Sequence, residues 1–394
     1  MVVDRPIPYV DLGTQYAEER KELLAIIDRI MADGQLVGGN AVAEFEQDVA
    51  SFHGVKHAVA LNSGTDALYL SLVAMGIGRG DEVITPPNSF VASTAVIVQV
   101  GAKPVFVDVL DDQNIDPAKI ETAVTSRTKA IMPVHLTGRV AAMDLIMPIA
   151  RRYSLMVIED SAQAIGSRYH GRLSGTFGDI GCFSAHPLKN LNAAGDSGFI
   201  LTNHDAYADT IRLLRNHGLA DRNTVTRFGH VSRMDTLQAA ILRYRLKRLD
   251  WIIERRRANA DEYRKHLDPA HVFVPPEQNH EFNTHHTYVV QVDHRDALQK
   301  RLGERGIGTA IHYPIPIHLQ PAAASLEHKL GDFPVCERQA QRILSLPIHP
   351  GLKSGDIPHI AAAINDFLGA GRRGASRARS IEGEPRGPDI LRHR

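Results

Sequence analysis

Cysteine is nearly absent from this 394-residue sequence, with only Cys182 and Cys336. That is too few for a disulfide framework or a structural zinc site, and it suits a reducing compartment. Net charge is absent as well. Forty-five Lys and Arg balance forty-five Asp and Glu, so no global field draws the chain to nucleic acid or anionic lipid, and any anion has to be bound by local groups. No run of 18 apolar residues occurs, and Met1 to Tyr9 shows no basic region followed by an apolar one. The expectation is a soluble, cytoplasmic protein with no membrane and no nucleic-acid partner. Two phosphate-binding signatures are missing too. Gly76-Ile77-Gly78-Arg79-Gly80 precedes a strand-like run instead of following one, so the nicotinamide fingerprint is absent, and no GxxxxGK[ST] occurs.

What is present is a globular composition, 43% apolar and 23% charged, over a length that suits two packed units or one large α/β unit with an appendage. Between residues 57 and 203, short β-rich runs alternate with stretches of helical spacing. The runs are His57 to Asn62, Asp81 to Thr85, Pro104 to Val109, Ala130 to Leu136, Leu155 to Asp160, Ile180 to Ser184 and Gly198 to Thr202. This order predicts an α/β fold with a mostly parallel sheet and helices on both faces; the closer spacing of the later runs leaves room for some to pair differently. Ligands of such sheets sit beyond the carboxyl ends of the strands.

From Arg233 to about Leu267, apolar residues at Ala239, Leu242, Leu246, Leu249 and Ile253 read as one long helix or two abutting ones. A strand (Thr287 to Val292), a helix (Arg295 to Arg305), the turn-rich His312 to Pro321 and a helix near Asp356 to Leu368 follow as a smaller α/β domain. The expected division is a large domain over 1–245, a small one over 246–371, and a disordered basic tail over 372–394, where seven Arg face three acidic residues.

Two residues stand out chemically. Leu155-Met156-Val157-Ile158 ends in Glu159-Asp160, which places the Asp160 carboxylate where a ligand would lie; read alone, Asp160 is equally a helix N-cap. About thirty residues on, Lys189 sits in a proline-bounded loop between two apolar strands. Loop lysines are commonly solvated, but one packed between buried strands loses pKa and becomes a neutral nucleophile. Ser63-Gly64-Thr65 follows a strand and opens a helix, either a plain N-cap or a site where backbone amides and the Thr65 hydroxyl face an anion. Twenty histidines raise the question of metal. His53 and His57 are separated by Gly54 and a strand start, and adjacent His285 and His286 point apart in an extended chain, so no metal site is expected.

Ile158-Glu159-Asp160-Ser161-Ala162-Gln163-Ala164-Ile165-Gly166 and Phe183-Ser184-Ala185-His186-Pro187-Leu188-Lys189-Asn190-Leu191 resemble the pyridoxal-phosphate-dependent sugar aminotransferases of the DegT/DnrJ/EryC1/StrS family. The resemblance extends from Val10-Asp11-Leu12 to about Leu368, through Ser63-Gly64-Thr65-Asp66-Ala67-Leu68, Gly80-Asp81-Glu82-Val83-Ile84, Pro104-Val105-Phe106-Val107-Asp108, Gly306-Ile307-Gly308-Thr309, His312-Tyr313-Pro314 and Leu344-Ser345-Leu346-Pro347. It implies a fold-type I aminotransferase with a mixed, mostly parallel seven-stranded sheet. It also implies pyridoxal 5'-phosphate, tethered by Lys189, which doubles as the acid and base. Asp160 then pairs with the pyridinium nitrogen, Gln163 lies near the ring oxygen, Gly64, Thr65 and Ser184 hold the phosphate, and Phe90 stacks on the ring, unless it is an ordinary core phenylalanine. His312 and Tyr313 lie near the substrate, with a satisfied turn histidine as the alternative. The implied reaction moves an amino group from glutamate to a nucleotide-linked 3-keto or 4-keto sugar in a homodimer with shared active sites.

Three positions depart from the family pattern. Val231 stands where many members carry an Asn that reaches the partner's cofactor phosphate, so that bond is lost or His230 or Arg233 replaces it. Ala185 stands where an aromatic is common, and Ser197 replaces a frequent Gly. Two rivals remain: a pyridoxal-phosphate-binding regulatory protein without turnover, and the family's dehydratase branch, in which His replaces the lysine and against which Lys189 speaks.

Overall fold

The computed structural model describes residues 5–381, with side chains through residue 369. The runs between 57 and 203 form one seven-stranded sheet, ordered from edge to edge His57–Leu61, Gly198–Thr202, Ile180–Ser184, Met156–Asp160, Thr128–Ile131, Glu82–Thr85 and Lys103–Phe106. From Ile180–Ser184 across to Lys103–Phe106 all neighbours are parallel. Gly198–Thr202 alone runs against both of its neighbours, so the sheet is mixed and mostly parallel.

Alternation along each strand divides the side chains between two covered faces, which is why the runs read as continuously apolar. Val59, Leu61, Ile158, Ile180 and Ile200 pack with Leu68 and Leu72 of the helix Gly64–Ala74 on one face. Ala58, Ala60, Phe183, Phe199 and Leu201 meet Phe45 and Val49 of Asn40–His53 on the other. Each large apolar side chain buried this way contributes about 1.5–3 kcal/mol. The N-terminal helix Leu12–Asp33 starts at Asp11, whose carboxylate accepts the Thr14 amide at 2.9 Å, and stops at Gly34 in the left-handed conformation, φ 67°.

The region read as one or two helices is two, Thr236–Leu246 and Leu249–His266. Beyond it Val272–Phe273, Tyr288–Val292 and Ile343–Leu346 make a separate antiparallel sheet. Its core gathers Tyr263, Val290, Leu298, Leu302, Leu344, Ile360 and Ile364, and takes in Ile7 from the far end of the chain. The last helix, Asp356–Ile381, passes residue 371 and continues into the segment expected to be a disordered tail; 382–394 of that tail lie outside the described residues. Among the described residues no helix is long and apolar enough to cross a membrane.

Candidate active site

At the carboxyl end of Met156–Asp160 the Asp160 side chain is 5% exposed. Oδ1 accepts the Ala162 amide at 3.1 Å, a local cap, although a turn and not a helix follows. Oδ2 accepts the Ser93 hydroxyl at 2.7 Å, one turn beyond Phe90.

The lysine loop joins two antiparallel strands, so both of its ends are fixed at the same sheet edge. Ala185 N donates to Ser197 O at 2.7 Å and Ala193 N to Ala185 O at 2.8 Å. Within the loop, Asn192 Nδ2 donates to Pro187 O at 2.8 Å, and Arg245, whose Nε and Nη2 bind buried Glu19, donates from Nη1 to Asn192 O at 2.8 Å. Among the described residues the Lys189 amine has neither a hydrogen-bond nor an ion-pair partner. Burial pushes it down to about 8, against the opposing pull of the Asp160 carboxylate. At neutral pH its uncharged, nucleophilic fraction is therefore larger than an ordinary lysine's by roughly two orders of magnitude.

Ser63 Oγ accepts the Asp66 amide at 3.1 Å and so caps Gly64–Ala74. The same turn leaves the Gly64 and Thr65 amides at the helix's positive end, beside the exposed Thr65 side chain. Two glycines press this turn onto the sheet. A Cβ on Gly64 would lie 2.7 Å from Ser184 Cβ, and one on Gly198 would lie 2.3 Å from the Ser63 carbonyl carbon. The Ser184 hydroxyl is thereby brought beside the helix start.

Phe90 is 56% exposed, with its ring 5.9 Å from that of Tyr313, so it is no ordinary core residue. Gln163 Oε1 accepts the Thr137 amide at 2.8 Å, and its Nε2 lies 3.5 Å from the Tyr313 hydroxyl. His312 Nδ1 is 2.8 Å from Ser345 Oγ; burial, with Lys189 adding to it, pulls the imidazole down to about 4, so it is neutral at physiological pH. Burial also raises the Tyr313 hydroxyl, helped by Asp160.

Gly64, Thr65, Phe90, Asp160, Gln163, Ser184, Lys189, His312 and Tyr313 all line one cavity of about 440 Å³. A free amine, an anion cradle, a half-open aromatic face and a buried carboxylate around a cavity of that size fit the demands of pyridoxal phosphate.

Sequence reasoning weighed His286 only as a metal ligand, and it missed Ser93. His286 lines the cavity; its Nδ1 has no partner among the described residues, and burial, then Lys189 and Arg256, hold it well below its ordinary range. Arg256 Nη1 fixes its backbone by donating to His285 O at 3.0 Å and His286 O at 3.1 Å. Nothing local marked a residue so far from Lys189 in sequence. Ser93 was findable, since it lies three residues after Phe90 on a new helix. Val231 is exposed and bridges Asn216 through its backbone. Of its two candidate substitutes, His230 reaches Asp66 of the helix Gly64–Ala74, Nε2 to Oδ2 at 3.3 Å, while Arg233 is occupied with Asn216 Oδ1 at 3.1 Å.

Residues 17–365 match the model of the DegT/DnrJ/EryC1/StrS aminotransferase family. The chain is 43% identical over 370 residues to a UDP-N-acetyl-3-dehydro-α-D-glucosamine 3-aminotransferase of Acidithiobacillus ferrooxidans, covering 93% of this chain and all of the relative. It is 41% identical over 365 residues to a Geobacillus stearothermophilus protein named a pleiotropic regulatory protein, covering 92% and 98% of the two chains. The crystal structure of S. venezuelae DesV superposes with a TM-score of 0.90 at 39% identity, over 92% of this chain and 99% of that one.

Proposed function

The chain belongs to the DegT/DnrJ/EryC1/StrS family of pyridoxal-phosphate-dependent aminotransferases, and from that premise we propose that its acceptor is a nucleotide-linked keto sugar, aminated at C3 with glutamate as donor. The observation that carries the reading is the partnerless, desolvated Lys189 amine in a cavity it shares with Asp160. The preference for C3 over C4 rests on the A. ferrooxidans relative, named for a 3-dehydro sugar nucleotide.

When bound, pyridoxal phosphate supplies the electron sink that makes the α-hydrogen of an amino donor acidic. Lys189 would hold the cofactor through its amine, and its Nζ, when free, would take up and return the proton that the reaction moves; a pKa near 8 lets the same group do both near neutrality. Asp160, oriented by Ser93, would favour a protonated ring nitrogen. Gln163, fixed by the Thr137 amide, would serve the ring oxygen. The Gly64 and Thr65 amides and the Ser184 hydroxyl would hold the phosphate, and Phe90 would stack on the ring. His312 and Tyr313, neutral at physiological pH, offer hydrogen bonds to the sugar without adding charge.

A homodimer with shared sites completes the reading. It is supported by apolar side chains left exposed, Phe90 and Leu188 on the cavity wall and Val231 and Phe228 in the segment after the helix Asp205–Leu214, the last 99% exposed. Two free buried thiols, Cys182 and Cys336, suit the cytoplasm.

The test is incubation of the holoprotein with glutamate and a panel of nucleotide 3-keto and 4-keto sugars, with products read by mass. An amino product from 3-keto substrates is expected, and product only from 4-keto substrates would overturn the regiochemistry. A regulatory, non-catalytic reading is favoured by the name of the Geobacillus relative. A visible band that glutamate bleaches supports transfer; a band indifferent to every amino donor supports the regulator.

A further inference from the structure

On the opposite face of the strand that carries Asp160 lies a second carboxylate. Glu159 has no exposed surface, and among the described residues no Lys or Arg pairs with it. Its Oε1 accepts the Gly178 amide at 2.6 Å; its Oε2 accepts the Gly175 amide at 2.8 Å and meets His135 Nε2 at 2.8 Å. Three donors converge and no acceptor faces the group, so the site holds the carboxylate and has no place for a carboxyl proton.

His135, equally buried, receives the Ala141 amide on Nδ1 at 3.1 Å. A backbone N–H can only donate, so Nδ1 is bare and the ring proton sits on Nε2, directed at Glu159. The imidazole is neutral, and the pair keeps one negative charge with no Lys or Arg paired to it in a fully buried layer, where charges act over longer distances than at the surface.

The same segment arranges the cavity wall. His135 N donates to Asp160 O at 3.0 Å and Asp160 N to Pro133 O at 2.9 Å. Two residues on, the Thr137 amide holds Gln163, and Gly138 O accepts the Ser167 hydroxyl at 2.7 Å. His135 therefore joins Glu159 to the Ala141 end of the loop through its imidazole, and ties the loop to the strand end that presents Asp160 through its main chain.

We propose that Glu159 and His135 are a positioning pair for the ring end of the cavity. The Glu159 charge adds to that of Asp160 in favouring a protonated ring nitrogen, and His135 keeps the loop in register so that Asp160 and Gln163 stay aimed at the ring. This rests on the pyridoxal-phosphate reading of the cavity.

The experiment loads the full-length protein with cofactor carrying nitrogen-15 in the ring and follows that resonance against pH, together with cofactor affinity, melting temperature, and kcat and KM for the glutamate half-reaction. Glu159→Gln is expected to lower the midpoint of ring-nitrogen protonation by about one unit, which is tenfold in that equilibrium, and to cut kcat about tenfold with KM for glutamate little changed. His135→Leu, which keeps the charge but cuts the tie, is expected to weaken cofactor binding about tenfold. His135→Gln, which can still donate to Glu159 and accept from Ala141, is expected to restore it. Variants that melt earlier yet titrate and react as wild type would overturn the proposal, as would a His135→Gln no better than His135→Leu. If Glu159→Gln does not fold, the His135 pair decides alone. A wild-type protein that binds no cofactor would instead overturn the reading of the cavity.

Discussion

The two ends of the cavity are made of different material. At the end proposed for the phosphate the protein presents mostly main chain: a helix start pressed onto a strand end by Gly64 and Gly198, with Thr65 exposed and Ser184 half-buried. At the ring end it presents buried side chains, Asp160, Ser93 and Gln163, each at most 6% exposed and each hydrogen-bonded. An anion site built from backbone can lose a hydroxyl and keep its amides, but it cannot gain a methyl group. A site built from one buried carboxylate is decided by a single atom.

Lysine to alanine is the largest change of all. Lys189→Ala is expected to abolish both turnover and the borohydride-trapped cofactor adduct, and an adduct on another lysine would refute its role. Asp160→Asn should leave the melting curve nearly intact and slow the glutamate half-reaction by about two to three orders of magnitude; unchanged turnover would show that the ring nitrogen is held by something else. At the phosphate end Gly64→Ala, by forcing a Cβ into Ser184, should weaken cofactor binding by about 10- to 100-fold in an equilibrium titration. Removing only a hydroxyl, Ser184→Ala or Thr65→Ala, should cost about tenfold or less. If either hydroxyl proves costlier than the Gly64 methyl, the contrast between the two ends is wrong. Smallest is a pH effect: capture of pyridoxal phosphate by the apoprotein should quicken as pH rises through about 8, because the neutral Lys189 amine accumulates there. An ordinary lysine would keep accelerating toward its pKa near 10.5.

The sheet was readable in the residues because its strands are buried on both faces. Ile180 to Ser184 and Gly198 to Thr202 match the observed strands residue for residue, while Ala130 to Leu136 runs past the end of Thr128–Ile131, beyond which only an isolated bridge, Val134 to Asp160, continues the pairing. The reversed direction of Gly198–Thr202 was hinted at only by spacing. Residues next to a marked motif were legible in the sequence, as Gln163 is beside Asp160. His286 and the Glu159–His135 pair were not, since their meaning lies in contacts between segments that no period or spacing connects.

The edge strand His57–Leu61 has a single neighbour in the sheet, Gly198–Thr202, about 140 residues later. During synthesis the chain emerges from its amino end, so this strand waits, with its hydrogen bonds unmade, until nearly all of the sheet has been translated. Leu61 faces Gly198 in that ladder, and Ser184 faces Gly198 from the other side. The turn proposed to hold the phosphate therefore gains its last neighbouring strand only when the lysine loop has been made. A nascent chain that stops short of Gly198 holds every earlier strand of the sheet and still lacks the strand end against which Ser63 and Gly64 pack.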